Sequence, residues 1–116
     1  MKISKAEFTR RRKKLMGMMD RHSIAIIPGA REVTRSRDTE YAFRQDSDLF
    51  YLTGFEEPDA VLVLVPGRRQ GQVVLFCRER DPDMELWNGY RLGPEGAVAY
   101  LGVDDAFPID DLDEIL

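Results

Sequence analysis

Two uninterrupted apolar runs lie almost back to back in this chain, Ala60-Val61-Leu62-Val63-Leu64-Val65 and Gln72-Val73-Val74-Leu75-Phe76-Cys77. A strand with one face in water alternates apolar and polar residues; a run with no polar member has no face to give to water and must be covered on both sides. The connection from Pro66 to Gly71 holds proline and glycine, so the two runs read as a hairpin. A hairpin buried on both faces needs further layers around it, which predicts an α/β architecture. Ser23-Ile24-Ala25-Ile26-Ile27, closed by Pro28-Gly29, adds a short buried strand, and Leu49-Phe50-Tyr51-Leu52-Thr53-Gly54 adds another before a turn at Glu57-Pro58-Asp59.

Helices are predicted around these strands. Ser4 and Glu7 fit a capping box, and Ile3 and Phe8 the hydrophobic staple that accompanies it. Phe8, Leu15, Met18 and Met19 then recur at helical spacing as one apolar face. The intervening Arg10-Arg11-Arg12-Lys13-Lys14 suits either an anion or RNA patch or a solvated helix face whose long stems cover apolar surface. No aromatic or glycine platform accompanies the charges, which favours the solvated face. Residues 31 to 48 read as a long polar loop. Asp81-Pro82 ends the hairpin's second strand, and Met84 to Tyr90 carries Trp87 ahead of a turn at Asn88-Gly89. Pro94 opens a helix that Gly102 closes, with Val98, Tyr100 and Leu101 as its face. In Ile109 to Leu116, Leu112, Ile115 and Leu116 share one side, with Asp110 and Asp111 where a helix dipole favours them. The expectation is one domain over residues 1–116, a mixed β-sheet flanked by helices. Ile115-Leu116 stops inside an apolar helical pattern with no capping glycine, so the domain is expected to be truncated at its C-terminal end.

The chemistry-bearing residues are sparse. A net charge of -4 gives no pull toward nucleic acid. No apolar stretch approaches the roughly 18 residues of a membrane span, and the basic N-terminus lacks the apolar region of a secretory signal. The single cysteine, Cys77, forms no internal disulfide and suggests a reducing, cytoplasmic location. Among apolar strand neighbours it reads as a buried small hydrophobe rather than a thiolate. The single histidine, His22, has no second histidine at metal spacing and reads as a surface residue. The acidic groups around Asp81 and from Asp104 to Glu114 lack the glycine and closing glutamate of an EF-hand. Phosphate-binding glycine motifs are missing as well. The residues predict a domain with no catalytic side chain and no metal ligand of its own.

One long stretch is distinctive. Arg44-Gln45-Asp46-Ser47-Asp48-Leu49-Phe50-Tyr51-Leu52-Thr53-Gly54-Phe55, followed by Glu57-Pro58-Asp59-Ala60-Val61-Leu62-Val63-Leu64, resembles the signature of the aminopeptidase P N-terminal domain. Asp38-Thr39-Glu40-Tyr41 before it, Arg80-Asp81 and Glu85-Leu86-Trp87-Asn88-Gly89-Tyr90-Arg91-Leu92-Gly93 after it, and the opening Glu7-Phe8-Thr9-Arg10-Arg11-Arg12 are similar too. The resemblance implies a fold like the creatinase and prolidase N-terminal domains, with a ribonuclease H-like motif and a mixed sheet of roughly six strands. It implies a parent Xaa-Pro aminopeptidase, which removes the N-terminal residue from peptides with proline in second position. Such enzymes carry a separate C-terminal catalytic domain with a pair of divalent ions, usually manganese; the chain itself holds neither ions nor ligands for them. The implied partners are that catalytic domain, peptide substrates and, in a homo-oligomer, further copies; neither nucleic acid nor a membrane is among them. For sites, the resemblance carries over Trp87, which either frames the mouth of the active site or packs its loop against the sheet, together with Tyr90 and Arg91. It also carries over Asp38, Tyr41, Arg44 and Gln45, which either fix the preceding loop by hydrogen bonds or meet substrate or another subunit. Two other parents share the architecture: a binding module without peptidase activity, as in some histone chaperones, and a prolidase-like dipeptidase.

Overall fold

The computed structural model describes residues 4–30, 45–68, 71–88 and 91–112, with the side chains of residues 87 and 88 excepted. Helix α1 spans Lys5–Gly17, strand β1 Ala25–Pro28, helix α2 Ser47–Thr53, strand β2 Val61–Leu64 and strand β3 Val73–Cys77. Helix α3 (Pro82–Asn88), helix α4 (Gly93–Leu101), strand β4 (Asp105–Pro108) and a 3-10 turn (Ile109–Asp111) complete the order. Among the described residues the sheet has four strands in the order β1-β2-β3-β4, against the roughly six implied by the resemblance. The first two pairings are antiparallel; β3 and β4 are parallel, joined by a crossover that contains α4. The sheet is therefore mixed, as the sequence predicts.

The unbroken apolar character of β2 and β3 has the expected cause. Leu62, Leu64, Val73, Leu75 and Cys77 face α2 and α4 in a cluster with Leu49, Leu52, Phe55 and Ala97. Val63, Val74 and Phe76 face the other way, against Phe107, Ile109 and Leu112. β1 behaves differently from the buried strand expected of it. It is the sheet edge, Ile24 and Ile26 are about half exposed at 49% and 52%, and only Ala25 and Ile27 turn toward the core. Pro28, which cannot donate a ladder hydrogen bond, is tolerated there for the same reason.

Leu49 to Gly54, expected as a strand, is helical. Asp46 caps α2 by accepting the amides of Asp48 and Leu49, each at 3.1 Å. Leu49, Leu52 and Thr53 then share one buried face at helical spacing, and Gly54 ends the helix at φ 72°. A Cβ on Gly54 would lie 2.6 Å from the ring of Phe8, so α1 and α2 approach through that glycine.

In α1, Ser4 accepts the Glu7 amide at 3.2 Å. Ile3 lies outside the described residues, while Phe8 is buried edge-on to Phe50. Glu7 bonds Arg10 and Arg11. Two expectations for this helix fail. Met18 points to solvent at 72% exposure, and Arg12, grouped with the solvated cations, is buried at 1%. The guanidinium of Arg12 donates to the carbonyls of Leu52 at 2.8 Å, Leu101 at 3.2 Å and Gly102 at 3.4 Å, and to Thr9 Oγ1 at 3.2 Å. It thus satisfies last-turn carbonyls of both α2 and α4, where the helix dipole favours a cation.

α4 also turns differently from its expected face. Val98 and Tyr100 are exposed; Gly93 and Ala97, with Leu101 partly buried one turn on, face inward, because a short crossover lying close on the sheet needs small residues there. Strand β4, unassigned in the sequence, follows at once. The expected helix from Ile109 begins as the 3-10 turn, and residues 113–116 lie outside the described set.

Candidate functional site

The connection between α3 and α4 is where the sequence-derived candidates and the most unusual geometry coincide. Pro82 starts α3, where its missing N–H costs nothing, and Trp87 lies in the helix's last turn. Glu85, with only 9% of its side chain exposed, turns back over its own helix. Its Oε1 accepts the Arg91 amide at 2.7 Å and its Oε2 the Asp81 amide at 3.1 Å, with Arg80 Nε 3.2 Å away. These donors, the Arg91 amide first, hold its carboxyl below the ordinary carboxylate range in spite of burial, which acts the other way. The next amide, of Leu92, donates to Glu57 Oε2 at 2.7 Å; Glu57 arrives from the turn before β2, and its Oε1 lies 3.4 Å from Arg78 Nη2. Two carboxylates from separate elements therefore take two consecutive amides.

A cleft of about 520 Å³ adjoins this connection, with Asp59, Arg78, Arg80, Arg91 and Asp110 among its walls. Arg91 Nη1 donates to the Glu79 carbonyl at 3.3 Å, while its buried Nε has no acceptor among the described residues. Tyr90 lies outside the described residues, as do Asp38, Tyr41 and Arg44. Gln45 is described, and all its polar capacity is spent locally. Its Oε1 accepts the amides of Ala30 at 2.9 Å and Asp46 at 3.0 Å, and its Nε2 donates to the carbonyls of Phe55 at 3.1 Å and Glu57 at 2.7 Å. Gln45 thereby ties the end of β1 to the turn that presents Glu57.

A second concavity of about 490 Å³ runs between α1 and α2, with Arg10, Lys14, Met18 and Tyr51 on its walls. Arg11 is held inside it, its guanidinium 4.2 Å from the centre of the Tyr51 ring.

His22 is exposed. Cys77 is fully buried, and burial pushes its thiol up to about 12, the opposite of activation. Among the described residues no three His, Cys, Asp or Glu side chains converge to hold a metal ion. No described helix is long and apolar enough to cross a membrane. Sequence reasoning missed Glu57, Glu85 and Arg12. Glu57 and Glu85 lay inside the matched motifs, and Arg12 lay on the apolar face by spacing.

Residues 8–116 match the family model described as Aminopeptidase P, N-terminal domain. The chain belongs to this family. Xaa-Pro aminopeptidase of Escherichia coli is 48% identical over 115 residues, which is 98% of this chain and 26% of that protein. The Haemophilus influenzae enzyme of the same name is 40% identical, over 99% of this chain and 27% of its own length. Among solved structures, Pseudomonas aeruginosa aminopeptidase PepP superposes with a TM-score of 0.92 at 58% identity, covering 98% of this chain and 26% of that one. The chain thus spans about a quarter of the length of these aminopeptidase P relatives.

Proposed function

We propose that this chain is the non-catalytic N-terminal domain of a manganese-dependent Xaa-Pro aminopeptidase, working beside a C-terminal catalytic domain. The observation that carries the reading is the match of nearly the whole chain to a quarter of enzymes that bear that name. The substrates would be peptides with proline in second position. Divalent ions in the catalytic domain would supply an activated water and polarise the scissile carbonyl. The work of the present residues is steric and positional. The segment from Trp87 to Arg91 would line the approach to the active site, in its own or a neighbouring subunit, where a flat apolar ring suits the stiff proline ring. Contacts in a homo-oligomer and a cytoplasmic setting belong to the same reading; the single cysteine, buried and unpaired, is compatible with a reducing compartment.

The test is a chimera in which this chain replaces the matching quarter of the E. coli enzyme. Assayed on an Xaa-Pro tripeptide with manganese, the chimera is expected to release the first residue, and this chain alone to release none. A folded chimera without turnover, or hydrolysis by a clean preparation of the chain alone, would overturn the proposal.

A further inference from the structure

We infer that Glu57 and Glu85 are positioning residues, which together clamp the α3–α4 connection and so set where the segment carrying Trp87 and Arg91 stands. The two bonds to consecutive amides, both 2.7 Å, are short and charge-assisted. They come from separate elements. Glu85 takes the amides of Asp81 and Arg91, one before and one after its own helix, while Glu57 reaches in from a turn 35 residues earlier in sequence.

Simple capping does not account for both. Leu92, at the N-cap of α4, has no side-chain cap, and Glu57 takes the amide of the N-cap residue itself from a distance. That leaves Glu85, whose bond to Arg91 adds nothing to the capping of α4 but fixes the residue before it. Desolvating two carboxylates is costly, and here both serve one short connection, with side-chain exposures of only 18% and 9%. Gly93 completes the restraint: it sits at φ 75°, and a Cβ there would fall 2.6 Å from Arg80 Cγ. Gln45 steadies the clamp from behind by holding the Glu57 carbonyl. Among the described residues, Arg78 and Cys77 are charged or titratable neighbours of Glu57, and Arg80, Asp81 and Arg91 of Glu85.

The clamp's existence stands on this geometry, and only its role in peptide binding rests on the function proposed above. The experiment has two arms. In the full chain, amide exchange and proton shifts of Arg91 and Leu92 are measured by NMR. Both amides are expected to be protected, and the Arg91 amide to shift only as the pH falls below the ordinary glutamate range. Glu85→Gln keeps one acceptor where two are needed, so it should abolish that titration and lower the protection of Arg91 about tenfold; Glu57→Gln should do the same to the protection of Leu92. Unprotected Arg91 and Leu92 amides in the wild-type chain would overturn the clamp with no variant required. In the chimera, each variant should raise KM for the tripeptide about fivefold and change kcat less than about twofold. An active chimera whose KM ignores both substitutions would remove the positioning role and leave the proposed function standing. An inactive but folded wild-type chimera would remove the proposed function, and with it the role in peptide binding, while the NMR arm still decides the clamp.

Discussion

Removing the Arg12 side chain would leave the buried carbonyl of Leu52 and the part-buried carbonyls of Leu101 and Gly102 without that donor, in a space that a methyl group cannot fill. Each orphaned carbonyl costs on the order of 1–3 kcal/mol. Because relaxation and water recover part of that sum, Arg12→Ala is expected to lower stability in urea unfolding by about 3 kcal/mol. Arg12→Lys keeps the charge but not the planar fork that reaches two helix ends, so it should recover only part of the loss. The burial of Arg12 was legible in principle. Positions 8, 12, 15 and 19 follow one helical stripe, and Phe8, Leu15 and Met19 are the apolar members that turn inward. The block of five cations hid the pattern, because a charge is ordinarily read as a claim on solvent. What the sequence alone could not supply was the partner, two helix C-termini that meet only in the folded chain. Glu7 is the opposite case, a surface charge with a local explanation. Arg10 and Arg11, by hydrogen bonding first, hold its carboxyl down from 4.5 to about 2. Since the folded value lies below the unfolded one, the pairing stabilises fully above pH 4.5 and is lost as the pH falls toward 2. Carboxyl titration by NMR should place the Glu7 midpoint near 2 in the wild type and return it toward 4.5 when both arginines become alanine.

Short elements are where local preference and tertiary demand part company. Leu49-Phe50-Tyr51-Leu52-Thr53 is rich in residues that favour strands, yet it forms a helix of seven residues because its ends and one face agree on that answer. Asp46 stops one end, Gly54 the other, and a strand would have sent Leu49 and Leu52 to opposite faces while the core wants both. Asp46→Ala is therefore expected to cost about 1 kcal/mol. Gly54→Ala should cost more, about 2–3 kcal/mol, since the new Cβ meets both an unfavourable backbone conformation and the Phe8 ring. Chemical denaturation of the pair, read against wild type, checks the order as well as the size. The hairpin of β2 and β3 was legible because two short, β-branched apolar runs flank a connection that holds proline and glycine. Strand β4, Asp-Ala-Phe-Pro, was not, since it has neither alternation nor β-branched residues and owes its conformation to pairing with β3 after the α4 crossover. In the candidate site, Trp87 and Arg91 were marked by motif, but the carboxylates that hold the amides of Arg91 and Leu92 were invisible until the turn at Glu57 and the start of α4 came together.

At the scale of the molecule, the sheet joins every layer, and Cys77 lies in one of its two inner strands, among the core side chains that face the helices. Its thiol is fully buried and held mainly as the protonated form, with a pKa pushed up to about 12, so the closed state offers no accessible thiolate to attack a disulfide reagent. Reaction must wait for an opening, and the size of that opening decides what the rate reports. If the strands and the helices that Arg12 unites open as one cooperative unit, destabilising a distant helix junction must speed labelling in full proportion. A loss of about 3 kcal/mol in Arg12→Ala would then accelerate the reaction roughly a hundredfold, provided reclosing outpaces labelling. If the end of β3 frays by itself, the same variant would leave the rate nearly unchanged, because the local opening breaks none of the Arg12 bonds. The geometry favours the cooperative result. Cys77 is paired with β4 on one side in parallel register with Pro108, and β4 is reached only through α4, whose last carbonyls Arg12 holds. Timed labelling of Cys77 in the wild type and in Arg12→Ala, at one pH and reagent concentration, separates the two outcomes.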